Sequence, residues 1–148
     1  NSLGQSFEYL DDQDLDTWMK TTISEIKKHT DRPIEIRKKP SRTDRVTNNT
    51  IWQALDDDVY CLVTYNSIAA TEAFLYGVPA IALAPNAATV VCNTSIEQIN
   101  KLNVPTPDLQ LQLAKHLSYC QFTSKELRDG TAWRILNESC ELLEQRTK

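Results

Sequence analysis

The stretch VTYNSIAATEAFLYGVPAIAL, Val63 to Leu83, reads as strand, turn, helix, turn, strand. Val59-Tyr60-Cys61-Leu62-Val63-Thr64 is almost continuously apolar, the mark of a strand covered on both faces, as parallel strands are. The helix spans about Ser67 to Tyr76, with Gly77 at its C-terminal cap and Pro79 just beyond. Ala80-Ile81-Ala82-Leu83 is a second buried strand. A helix between two such strands makes a right-handed parallel crossover.

Working toward the N-terminus, Leu15, Trp18, Met19, Thr22 and Ile26 recur at helical spacing within residues 14 to 29. Asp14 is placed to cap this helix, and Lys27, Lys28 and His29 suit the negative end of its dipole. Pro33-Ile34-Glu35-Ile36-Arg37 alternates and is β-branched, so it reads as a short strand ending in a basic turn that reaches Pro40. After the polar run Ser41 to Asn49, Thr50 caps a short helix beginning at Ile51.

Toward the C-terminus, Ser95 to Ile99 reads as a short helical turn and Asn103 to Pro107 as a loop. Asp108 to Ser118 and Ser124 to Gln145 are helical patterns. Gly130 breaks the second, and Leu127, Ala132, Trp133, Ile135, Leu136 and Leu143 supply its apolar contacts. The alternation of helices and strands gives an α/β fold, a Rossmann-like three-layer domain with a parallel sheet of three strands and C-terminal helices. It is read as a single domain over 1–148, with a core of about 13–92 and helical additions over about 95–146. The sheet is short on its N-terminal side and the chain starts at Asn1 rather than Met, so a missing upstream segment is expected.

The chain has 148 residues, 41% apolar and 24% charged, a size and balance that bury a core. A net charge of −4 gives no general basis for nucleic-acid binding. One basic cluster stands out, with Arg32, Arg37, Lys38, Lys39, Arg42 and Arg45 in a short run. The cysteines, at 61, 92, 120 and 140, form no C-x-x-C pair, and reduced thiols in a cytoplasmic protein account for them. No signal peptide and no apolar run near the ~20 residues of a membrane span are present. The sequons at Asn48, Asn93 and Asn137 are then chance matches.

In an open parallel sheet, ligands bind beyond the carboxyl ends of the strands. Asn66-Ser67 lies at such an end, where unpaired helix N–H groups and the dipole attract an anion and Ser67 either caps the helix or binds that anion. Glu72 is the sole charge between Ile68 and Leu75, in a helix that packs on the sheet, where a carboxylate is costly unless it faces water or a partner. It either lies on the exposed edge of that helix or turns its two acceptor oxygens to a sugar diol. Tyr65, Asn86 and the Ala87-Ala88-Thr89 turn follow strand ends and fall near the same crevice. Asn86 is a candidate for a nucleobase or sugar contact, although a Pro-Asn turn explains it as well. The acidic runs Asp11-Asp12-Gln13-Asp14 and Asp56-Asp57-Asp58 read as solvated turns rather than metal ligands. His29 and His116, the two histidines, have no Ser, Cys or acid at catalytic spacing.

The pattern N-S-x-x-x-x-E-A-x-x-x-G-x-P-A-I, carried by Asn66-Ser67, Glu72-Ala73, Gly77 and Pro79-Ala80-Ile81, resembles the nucleotide-binding half of GT-B glycosyltransferases. It is most similar to the capsule-polysaccharide synthesis type and to UDP-N-acetylglucosamine 2-epimerases. Arg32 to Pro40 looks like the strand and basic turn one unit earlier, with Lys39 where the capsule enzymes usually carry histidine. The tail from Gln121 to Ala132 resembles uncharacterised glycosyltransferase-like proteins of phage and marine sequences.

The resemblance implies one half of a GT-B architecture that binds a nucleotide-diphosphate sugar and transfers the sugar to an acceptor. Ser67 with Asn66 would hold the phosphate, Glu72 the ribose, and Arg37, Lys39 and Arg45 the pyrophosphate, while Asn86 lies near the base or sugar. No metal and no further cofactor are implied, and the partner half would come from a second domain or a homodimer. No catalytic base stands out in this chain. A non-catalytic nucleotide-binding or assembly module and a UDP-sugar 2-epimerase-like enzyme are the alternatives.

Overall fold

The computed structural model describes residues 14–37, 50–55 and 58–146. Its elements in chain order are α1 (Leu15–His29), α2 (Ile51–Leu55), β1 (Leu62–Thr64), α3 (Ala69–Tyr76), β2 (Ala80–Ala82), a 3-10 turn (Ile96–Gln98), α4 (Pro107–Cys120), α5 (Ser124–Arg128) and α6 (Thr131–Arg146). The chain divides into two compact units, one up to Leu113 and one from Ala114 onward.

Helix α1 begins where the spacing predicts. Asp14 accepts the Thr17 N–H and hydroxyl, each at 2.8 Å, and the N–H bond above all holds its carboxyl below the usual range. Lys27, Lys28 and His29 fill the last turn. Ile26 is buried with Ile81, Ile96 and Ile99, and Ile34, Cys61 and Val63 pack against that cluster. Trp18 meets Tyr65 edge to face, with ring centroids 5.9 Å apart.

Strands β1 and β2 pair in parallel, Leu62 with Ala80, Val63 with Ile81 and Thr64 with Ala82. The pairing runs on past the strands, since the Leu83 N–H donates to the Thr64 carbonyl and the Ala84 N–H to the Tyr65 carbonyl, both at 2.9 Å. On the far side of β2, the Asn93 N–H donates to the Ala80 carbonyl at 3.2 Å and the Ala82 N–H to the Asn93 carbonyl at 2.9 Å. Neighbours on both sides bury all three residues of β2, whereas β1 is half-buried throughout. Helix α3 packs on both strands. Its end closes as a Schellman turn: Gly77, at φ 105°, donates its N–H to the Phe74 carbonyl and Val78 donates to the Ala73 carbonyl.

Three expectations are corrected. Pro33 to Arg37 is extended but has no strand pairing, and Ile36 is 53% exposed, so alternation of β-branched residues does not by itself make a ladder. The described sheet therefore has two strands plus the Asn93 bridge rather than three strands, a parallel α/β arrangement of small extent. Helix α3 starts at Ala69, two residues after Ser67, because the Asn66-Ser67-Ile68 turn is spent leaving the strand.

Other elements fall as the sequence predicts. Thr50 and Gln53 cap α2 reciprocally, and Ser95 and Gln98 form a capping box around the 3-10 turn. In the second unit Gly130, at φ 82°, separates α5 from α6. There Ala132 is buried, whereas Leu127, Trp133, Ile135 and Leu136 are exposed. Among the described residues no helix is long and apolar enough to cross a membrane.

Candidate functional site

The parallel ladder sends both chains out of the sheet at the same end. Tyr65-Asn66-Ser67 leaves β1 there and Leu83-Ala84-Pro85-Asn86 leaves β2, and their backbones are still paired as they depart. A pocket of about 230 Å³ opens at this end of β2, walled by Ala82, Leu83, Ala84, Pro85, Thr89 and Thr94. Its wall is apolar apart from two hydroxyls, one of which, on Thr89, donates to the Asn86 carbonyl at 2.8 Å.

Ser67 is half-buried just ahead of α3. Its Oγ accepts the Ala69 N–H at 3.2 Å and its carbonyl accepts the Ala70 N–H at 3.2 Å. Ile68 occupies the cap position and has no side chain that could accept a bond, so Ser67 caps from one residue further back. Two N–H groups of the first turn are thus satisfied locally. Asn66 is half-buried beside it.

Glu72 sits in the first turn of α3, where a carboxylate is favoured by the helix dipole. It is half-exposed and falls in line with Ile68 and Tyr76, both exposed and each four residues away. Water therefore reaches it in part, which lowers the cost expected for a carboxylate packed on a sheet. The buried side of α3 is carried by Ala70, Thr71, Ala73 and Phe74.

Asn86 forms a turn of its own. Its Oδ1 accepts the Ala88 N–H at 2.8 Å, which fixes the amide orientation and leaves Nδ2 enclosed with no partner among the described residues. An enclosed nitrogen is out of reach of a molecule in the neighbouring pocket. Arg37 is exposed at the end of the extended segment, and Lys39 and Arg45 lie outside the described residues. The structure thus brings Asn66, Ser67 and Asn86 to one end of the ladder, with Glu72 one helical turn into α3.

Two features went unread in the sequence. Thr94 walls the pocket, although nothing but its place in the Asn93 sequon draws attention to it. Asn93 itself is buried: its Oδ1 accepts the Asn103 N–H at 2.7 Å and its Nδ2 donates to the Lys101 carbonyl at 3.3 Å. A side chain so engaged does not carry a glycan.

His29 does have an acid partner, with its Nε2 3.2 Å from Glu25 Oε1 one turn back on α1. Lys28 binds the other Glu25 oxygen at 2.6 Å, and this bond chiefly, with that of His29, holds the Glu25 carboxyl below its usual range. The pair lies at the opposite end of α1 from Trp18 and Tyr65, away from the strand ends. Asp58, the last residue of the acidic run, takes a left-handed turn conformation at φ 53°. Among the described residues no group of three His, Cys, Asp or Glu is placed to hold a metal ion. No family model, characterised protein or solved structure matches the chain.

Proposed function

We propose that the chain is the nucleotide-binding half of a GT-B glycosyltransferase-like protein with a Rossmann-like three-layer core, taking a nucleotide-diphosphate sugar at the carboxyl end of its parallel strands. The observation that carries this reading is the common exit of Asn66-Ser67 and Pro85-Asn86 from one end of the β1–β2 ladder, beside an open pocket of about 230 Å³. In this reading Ser67 and the start of α3 at Ala69 receive the diphosphate. Glu72 accepts hydrogen bonds from the ribose hydroxyls, and Arg37, with Lys39 and Arg45, neutralises charge that develops on the leaving diphosphate. The acceptor and the catalytic base come from a second domain or a second copy.

A second reading, a binding or assembly module without catalysis, draws on a different observation. The Ala69 and Ala70 N–H groups already bond Ser67, so the start of α3 is complete without an anion. A thermal-shift series with UDP-, GDP-, CMP- and ADP-sugars separates the two. Stabilisation by one of them that Glu72→Ala abolishes supports nucleotide-sugar binding. A folded chain that responds to none sinks it and leaves the module.

A further inference from the structure

Among the described residues β1 has a single neighbour in the sheet. In a parallel ladder alternate residues direct their backbone groups to the same side. The Leu62 N–H donates to the Pro79 carbonyl and the Thr64 carbonyl accepts the Leu83 N–H, so Val63 between them turns its N–H and carbonyl toward the other, open edge. An unpaired edge of this kind is a template for another strand.

The extended segment Pro33 to Arg37 has two anchors near β1. The Arg32 guanidinium sits 3.7 Å from the centroid of the Tyr60 ring, and Ile34 packs on the cluster that also receives Cys61 and Val63. Residue 32 lies beside residue 60, and residue 34 packs on the cluster that residues 61 and 63 also reach, two placements that a segment running in the same direction as β1 would satisfy together. The connection from residue 38 to residue 61 contains α2, the kind of long crossover that parallel neighbours need and a hairpin does not. In that register Arg37, three residues past Ile34, would fall level with residues 64 to 66.

We propose that Pro33–Arg37 closes on the open edge of β1 as a third parallel strand, bringing Arg37 to the same end of the sheet as the Asn66-Ser67 turn. Closure pairs the outward groups of Val63 and covers a half-buried strand. It also gives Arg37 its part in the anion site, a consequence that rests on the nucleotide-sugar reading above, whereas the strand pairing does not.

Amide hydrogen exchange on the whole chain tests the pairing. The Val63 amide is expected to exchange at least about 100-fold more slowly than an open amide. In a parallel pair the Val63 N–H donates to a carbonyl of the segment and the Val63 carbonyl accepts an N–H from it. Successive residues point opposite ways, so one of the Glu35 and Ile36 amides is expected to exchange slowly with Val63 while the other exchanges fast, with Leu62 and Ile81 protected. Fast exchange at Val63 overturns the proposal, as does fast exchange at both Glu35 and Ile36. UDP binding measured on the same samples reports separately: its absence sinks the nucleotide reading whatever Val63 does, and where UDP binds, Arg37→Ala is expected to weaken it about tenfold.

Discussion

Replacing Asn93 by alanine removes two bonds that tie the loop at 101–103 to the edge of β2. The stronger is the Asn103 N–H donated to Asn93 Oδ1 at 2.7 Å, and the weaker is Asn93 Nδ2 donated to the Lys101 carbonyl at 3.3 Å. Asn93 is buried, but its partners Lys101 and Asn103 belong to an exposed loop, so water takes over part of what they lose. Each lost bond then costs about 0.5–1.5 kcal/mol net. Asn93→Ala is therefore expected to destabilise the chain by about 1–3 kcal/mol in urea unfolding followed by circular dichroism.

Asn93→Asp keeps the acceptor and replaces the donor by a buried carboxylate. Burial raises the carboxyl pKa of that variant above its unfolded value of about 3.9, so its relative stability is kept at low pH and lost as pH rises through the raised pKa. Asn103→Ala, which loses only the 2.9 Å bond to the Val91 carbonyl, should cost about 1 kcal/mol. A cost below about 0.5 kcal/mol for Asn93→Ala, within the range of ordinary surface changes, would refute the reasoning.

Phe74 is fully buried on the inner side of α3, so Phe74→Ala is expected to cost about 3–5 kcal/mol by chemical denaturation, and a loss under 1 kcal/mol would mean that this side of α3 is not packed. Gly77 at φ 105° has nothing within 4 Å of where a Cβ would stand, so Gly77→Ala meets backbone strain without a clash and should lower stability by about 1–2 kcal/mol, with Gly77→Asn milder. Burial pushes the Cys61 thiol up to about 11, against a smaller pull from Arg32, and the Cys92 thiol up to about 12. Both should resist a thiol reagent at pH 8 in the folded chain and react on unfolding. Their raised pKa values make a contribution that is intact below about pH 9 and lost toward pH 11 to 12, so a folded chain whose unfolding midpoint rises over that window contradicts the assignment.

Much of the fold was legible because it is local. Asp14 before an amphipathic run, Thr50 before a short helix and Gly77 after an apolar helix each satisfy backbone groups within a few residues, and all three behave as their spacing implies. The candidate site was legible only in its position. Apolar strands on either side of a helix fix a parallel crossover, and the crossover sends Asn66-Ser67 and Asn86 to one end. What those side chains do there depends on atoms that the sequence does not order. Asn86 spends its oxygen on Ala88, and Ser67 spends its oxygen atoms on the start of α3.

The sequence by itself determined the helix caps, the parallel βαβ unit and the break at Gly130, since each follows from contacts between near neighbours in the chain. Only the tertiary structure decided that Glu72 is partly open to water, that Asn93 is a buried tie and that Pro33–Arg37 is extended with no strand pairing among the described residues. The exposure of Glu72 depends on which side of α3 meets the strands, and Asn93 is buried because the loop at 101–103 folds back on it. A strand exists only where a neighbour supplies hydrogen bonds, and that neighbour lies more than twenty residues away.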